Sequence, residues 1–370
     1  MSRTAMIGLT EAVMAPFHGS YAPEDVTFLL KPAAIGLTDV REKEALIQSG
    51  ARHYSEMLSE EKLPDARYLD LYHAALARNA GRVRRDVELL AEGIAARPET
   101  AQSCTIISLA RAGTPVGVLL RRALIRRGVD AVHFSVSIIR GRGIDRVALA
   151  HIAAARGSCD AVFVDGWTGK GAITGELEKS LADDPLGFAP FLVVIADPAG
   201  CASLAATSED YLIPSGILGG IASGLVSRSV LRDDLVGPGD FHACGHLTQF
   251  AAADQSRAFI AAIEAAALPD VADPEWTMAG AQQARTDCAA LVAGLMAECG
   301  ISDRNRIKPG IAEATRAVLR RVPDAVFVRD IADGEVAHLL HLAEQSGVSV
   351  LERELGNYRA VTLIAKAGDV

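Results

Sequence analysis

The chain has 370 residues, half of them apolar, which allows two or three domains and a large core without disulfide or metal staples. A formal charge of −9 gives the molecule as a whole no attraction for nucleic acid, so any RNA contact must come from a local basic patch. The six cysteines form no CxxC pair, which reads as reduced thiols in a cytoplasmic protein.

Aromatic residues are only 5% of the chain, and the Ala, Gly, Val, Leu and Ile that dominate suit α/β layers. The opening MSRTAMIGLTEAVMAPF lacks the apolar core and cleavage site of a leader peptide. The stretch 211–226, with four glycines and a proline, falls short of a membrane span, so no membrane partner is expected.

In chain order, 39–58 and 66–96 show apolar residues at helical spacing, which predicts a mostly helical cap over 1–100. Five short apolar runs follow, at 104–110 (CTIISLA), 131–139 (AVHFSVSII), 161–164 (AVFV), 191–196 (FLVVIA) and 210–213 (DYLI). Helix-compatible segments separate them, at 116–127, 142–156, 171–182 and 199–206. That alternation predicts a parallel sheet with its ligand site at the strands' C-terminal ends. Residues 216–300 read as a return to helix, broken by a turn-rich stretch at 236–245, and complete a core over 101–300. A polar linker at 301–309 leads into a last unit, 301–370, ordered helix, strand, helix, strand, strand and expected to pack independently.

The chemistry concentrates in 161–176, AVFVDGWTGKGAITGE. A strand delivers Asp165, a glycine-rich turn lets backbone N–H groups converge, and the following helix start and Lys170 add positive charge. That combination suits a phosphate monoester, with Asp165 placed for ribose hydroxyls. Tight strand–helix packing is the plainer reading. A Walker A loop does not fit, because Gly166 lies too near and Gly171 stands where a hydroxyl is needed.

The stretch 162–174 resembles the phosphoribosyl diphosphate signature of type I phosphoribosyltransferases. Residues 108–117 (SLARAGTPVG) resemble that family's pyrophosphate loop, 135–145 (SVSIIRGRGID) fall where it carries a mobile catalytic loop, and 197–204 (DPAGCASL) lie near its base-facing loop. More narrowly, HGSYAPEDVTFLLKP, SIIRGRGID, VDGWTGKGAITGEL and LVSRSVL resemble a bacterial family found beside tellurite-resistance genes. Its members are described as phosphoribosyltransferase-like proteins, also labelled StiP-type cysteine proteases, often with a C-terminal pelota-like RNA-binding domain.

The resemblance implies an α/β fold with a type I phosphoribosyltransferase-like parallel sheet, helical additions before and after it, and a small C-terminal α-β-α domain. It implies a phosphoribosyltransferase acting with Mg on a phosphoribosyl or nucleotide-type substrate. Asp165, Arg140 and Arg142 would be its catalytic groups. Arg111, Ala112, Gly113 and Thr114, with Asp165, Gly166, Trp167, Thr168, Gly169, Lys170 and Gly171, would hold phosphate and ribose. The family's second acid is replaced by Gly166, which leaves Glu176 or Asp197 to supply it.

Residues 305–321 (NRIKPGIAEATRAVLRR) resemble the helix start of L7Ae and pelota-type modules. With six cations over 304–321, they point to structured RNA held through Arg306, Lys308, Arg316 and Arg320. A charged linker before an ordinary amphipathic helix is the alternative. A homo-oligomer is also expected.

His242, Cys244 and His246 alternate as strand neighbours would, which leaves open a zinc site or the thiol–histidine pair of a cysteine protease using Cys244. A fourth zinc ligand and a thiol-protease signature are both missing nearby. The remaining reading of the family is a nucleotide- or RNA-binding regulator without turnover.

Overall fold

The computed structural model describes residues 17–269 and 276–366. The leader-peptide reading of the N-terminus lies outside the described residues, apart from its last position. The main sheet has six parallel strands: β1 (Thr27–Leu29), β2 (Ser103–Leu109), β3 (Asp130–Val136), β4 (Ala161–Trp167), β5 (Leu192–Ala196) and β6 (Leu204–Thr207). Their order across the sheet is β1-β3-β2-β4-β5-β6. The interior strands are apolar on both faces because helices cover both, as a parallel sheet requires.

Helices α1 (Val40–Gln48) and α2 (Ala66–Ala95) start at Asp39 and Asp65, whose carboxylates accept the first free backbone N–H groups. The long α2 buries Val83, Val87, Leu90, Ala91 and Ile94, a stripe at helical spacing, against α3 (Gly113–Arg126) and β6. Helices α4 (Arg146–Arg156) and α5 (Ala172–Leu181) follow β3 and β4, and α6 (Ser256–Ala265) and α7 (Met278–Glu298) complete the outer layer.

Four expectations are corrected. The segment expected as a helix at 199–206 ends in strand β6, and 210–213 is not a strand but the connection beyond it. Residues 216–255 hold short 3₁₀ turns instead of regular helix. The first hundred residues are not only a helical cap, since β1 pairs with β3 at the sheet edge.

The C-terminal unit has a four-stranded sheet of β7 (Ile307–Pro309), β8 (Pro323–Val328), β9 (Ser349–Glu352) and β10 (Ala360–Ile364), ordered β7-β10-β8-β9. Helices α8 (Ile311–Arg320) and α9 (Ala337–Ser346) complete it. The unit does not pack independently. Tyr68, Tyr72, Leu212 and Ile217 of the main body share one apolar cluster with Val318, Val326, Leu339 and Leu342. The buried Glu335 carboxylate accepts from Arg78 Nε at 2.7 Å, Asn79 Nδ2 at 3.0 Å and Leu212 N at 2.7 Å.

Candidate functional site

The chain leaves β2 for β3 on one side and then crosses to β4 on the other. Neighbours β2 and β4 therefore flank a topological switch point, where open α/β sheets form their ligand crevice. A cavity of about 310 Å³ opens there. Its floor is made by Ala110–Ala112 after β2, by Trp167 at the end of β4 and by Thr168–Gly171 beyond it. The short hairpin Ile138–Ile139/Gly143–Ile144 and helix α1 stand on one side, and β7 and α8 of the C-terminal unit close the other.

The C-terminal unit is laced to the glycine-rich turn. Lys170 Nζ donates to the carbonyls of Arg304 and Ile307, at 2.6 and 2.5 Å, and Tyr358 Oη donates to the Gly169 carbonyl at 2.7 Å. Gly171 adopts φ +78°, and a Cβ there would lie 2.8 Å from Cys201 Sγ, so glycine is required on both counts.

The cavity brings together Arg111, Ala112, Arg140, Asp165, Trp167, Thr168, Gly169, Lys170 and Gly171. It does not bring in Gly113, Thr114, Gly166 or Arg142. Gly113 and Thr114 are buried beneath the floor, and Thr114 Oγ1 is hydrogen-bonded to Ser135 Oγ at 2.8 Å. The Gly166 amide donates to the Asp165 carboxylate at 2.8 Å. Arg142 points outward and pairs with Glu56 at 2.8 Å. Arg140 reaches Asn305 Oδ1 at 3.1 Å, while its amide donates to Tyr54 Oη at 2.8 Å. Of the candidates for a second acid, Glu176 accepts from the Gly141 amide at 2.6 Å, and Asp197 accepts from Thr168 Oγ1 at 2.6 Å.

The cations expected to form a surface patch for RNA face inward. Lys308, Arg316 and Arg320 line the cavity, and Arg316 lies 4.5 Å from the Trp167 ring centre, a cation–π contact. Arg306 turns away and donates to the Ile364 carbonyl at 2.8 Å. Sequence reasoning also missed Lys43 and Arg321 as wall residues. Nothing local distinguishes either residue, and Arg228, from the LVSRSVL segment, completes the wall.

Among the described residues, nine Lys and Arg side chains face the cavity against two carboxylates, Asp165 and Glu313. Burial lowers the Lys170 pKa to about 7, with Lys308 adding repulsion, and lowers Lys308 itself to about 8. Burial takes Lys43 to about 8 and Arg320 to about 9, and Arg111 adds to the shift of Arg320. Burial raises Asp165 to about 7, against the opposing pull of Arg316 and the Gly166 amide.

Magnesium does not fit this wall. Glu313 is paired with Arg316 at 3.3 Å, Asp165 is held close to neutral, and cations surround both. Among the described residues no group of three or more His, Cys, Asp or Glu side chains could hold a metal, which also sets aside zinc at His242, Cys244 and His246.

Cys244 is fully buried in a two-residue strand beside Lys31–Pro32, and burial raises its thiol to about 12. His242 Nδ1 is hydrogen-bonded to Ser137 Oγ at 2.8 Å, and His246 packs edge-on against Phe17. A thiol–histidine pair at Cys244 is therefore not assembled.

Fold and site define an α/β protein with a cationic switch-point cavity that an appended, smaller α/β unit closes. The sequence model for the tellurite-like stress resistance cysteine protease StiP matches residues 19–264, and the model for the PELOTA RNA binding domain matches residues 286–366. The chain is 44% identical over 369 residues to the cysteine protease StiP of Acinetobacter baylyi, covering 95% of each sequence. The chain belongs to the StiP family and carries an RNA-binding-type domain at its C-terminal end.

Solved structures also show a slight likeness. The hypoxanthine phosphoribosyltransferase of Trypanosoma cruzi matches at 13% identity and TM-score 0.27, over 36% of this chain and 82% of that one. The corresponding enzyme of Leishmania tarentolae in complex with GMP matches at 12% and 0.27, over 36% and 82%. These matches are too slight to carry an argument. The phosphoribosyltransferase reading is corrected accordingly, because the family and its 44%-identical member bear the name of a cysteine protease. Among the described residues no helix is long and apolar enough to cross a membrane.

Proposed function

We propose that the chain is a thiol protease with Cys201 as its nucleophile. The observation that carries the reading is the 44% identity, over 95% of both sequences, to a protein named a cysteine protease. The choice of thiol rests on position. Cys104, Cys244 and Cys288 are buried, and Cys159 precedes β4 at the opposite end of the sheet from the cavity. Cys299 is exposed at the end of α7. Cys201 is half-buried in the loop after β5, on the C-terminal side of the sheet and against Gly171 of the cavity floor.

In this conformation burial, with Asp197 adding to it, raises the Cys201 thiol to about 11, and Sγ donates to the Ala199 carbonyl at 3.2 Å. A thiol in that state is inert, so the reading requires a second conformation in which Cys201 is activated. Attack needs the sulfur freed from Ala199 and brought beside a base or a cation, and Arg285 already lowers its pKa in part.

Peptide hydrolysis by the full chain tests the reading, with Cys201→Ser and Cys244→Ser compared. Loss of at least about a thousandfold in Cys201→Ser alone supports it. Loss confined to Cys244→Ser, or activity in both variants, refutes it.

A further inference from the structure

We propose that the switch-point cavity binds a small anion carrying two or three linked phosphate groups, held jointly by the main body and the C-terminal unit. Six of its cations (Lys43, Arg140, Lys170, Arg228, Lys308 and Arg320) have no carboxylate within ion-pair distance among the described residues. Only Arg111, Arg316 and Arg321 are paired, with Glu61, Glu313 and Glu44.

Hydrogen-bonding capacity is also left over. Arg111 Nε, Arg228 Nη1 and Arg316 Nε are buried without hydrogen-bond partners among the described residues. Native structures seldom leave such groups unmet unless a ligand or ion completes them. Like charges crowded at low dielectric repel, and here they do so in a protein of net charge −9. An occupant that removes the repulsion must carry several negative charges. A single phosphate, at about −2, falls short of six unpaired cations, whereas a linked di- or triphosphate approaches balance.

Volume restricts the occupant further. About 310 Å³ lies at the low end for small-molecule sites and does not admit a helical RNA. The guanidinium groups of Arg111, Arg228, Arg316 and Arg320 suit phosphate oxygens in the plane, while Lys170 and Lys308 act as point charges. Because Arg111 and Lys170 belong to the main body while Lys308, Arg316 and Arg320 belong to the C-terminal unit, the anion bridges the two. The depressed lysines take up protons as it binds.

Calorimetry on the full chain with inorganic tripolyphosphate tests this, in two buffers of different ionisation enthalpy near pH 8. Orthophosphate and a hairpin RNA serve as comparators. The expected result is binding in about the micromolar range, at least about tenfold weaker for orthophosphate, with net proton uptake. Lys308→Gln and Arg320→Gln each weaken it by about tenfold or more, while the melting temperature without ligand holds or rises because repulsion is relieved. Silence at millimolar tripolyphosphate overturns the proposal. So does unchanged affinity in the double variant, or RNA binding that tripolyphosphate does not displace.

Discussion

Asp210→Ala is expected to loosen the C-terminal unit from the main body. The Asp210 side chain is buried in the connection after β6 and accepts from Ile311 N at 3.1 Å and from Arg359 N at 2.8 Å. It thus caps the start of α8 and fixes the turn before β10. Alanine leaves one buried and one half-buried N–H group unmet, at about 1–3 kcal/mol each. The carboxyl is itself held against burial, which raises its pKa to about 6, and removal relieves that cost. The net loss is therefore expected near the lower end, about 2–3 kcal/mol. Urea unfolding followed by the fluorescence of Trp167 and Trp276 measures it, and limited proteolysis reads the exposure of the segment before β7. A change below about 0.5 kcal/mol with unaltered cleavage would refute the docking role given to this carboxylate.

Gly200→Ala is expected to destabilise by about 2 kcal/mol or more, because φ is +63° and the added Cβ would stand 1.9 Å from the Ala281 carbonyl of α7; thermal unfolding reads it. Without ligand, stability is expected to rise between pH 7 and 9. Lys170, Lys308 and Lys43 lose protons in the folded state at about 7 to 8, while the unfolded chain keeps them to about 10. A flat profile from chemical denaturation over that range would contradict the lysine placement. Iodoacetamide near neutral pH is expected to leave Cys244 unmodified in the folded protein while alkylating exposed Cys159 and Cys299, and peptide mass mapping distinguishes them.

Local pattern carried the sheet well where strands were continuously apolar. CTIISLA and AVFV became β2 and β4, and the switch point between them put the glycine-rich turn at the cavity floor. Pattern failed at DPAGCASLAAT, whose alanines read as helix. Pairing with β5 makes its last residues strand, and Gly200 at φ +63° interrupts any helix before them. Residues 216–255 failed likewise, because small apolar residues are compatible with helix and with the 3₁₀ turns that tertiary packing selects there.

The C-terminal cations show a further limit. Helical spacing puts Arg316 and Arg320 on one face of α8, but the sequence does not say whether solvent, RNA or the rest of the chain covers that face. The main body covers it, through Trp167, Lys170 and Arg111. Lys43 and Arg228 reach the same cavity from distant segments, a convergence with no local signature. The chemistry suggested by the glycine-rich turn was misleading for activity, since an anion-friendly loop specifies a charge and not a reaction.

Amide hydrogen exchange with and without tripolyphosphate tests the central claim, that the two units share one site. Joint protection of Thr168–Gly171 after β4 and of Ile311–Arg320 in α8 is the expected result, rising together with ligand concentration. Protection of one segment alone, or of neither at saturating ligand, would contradict it.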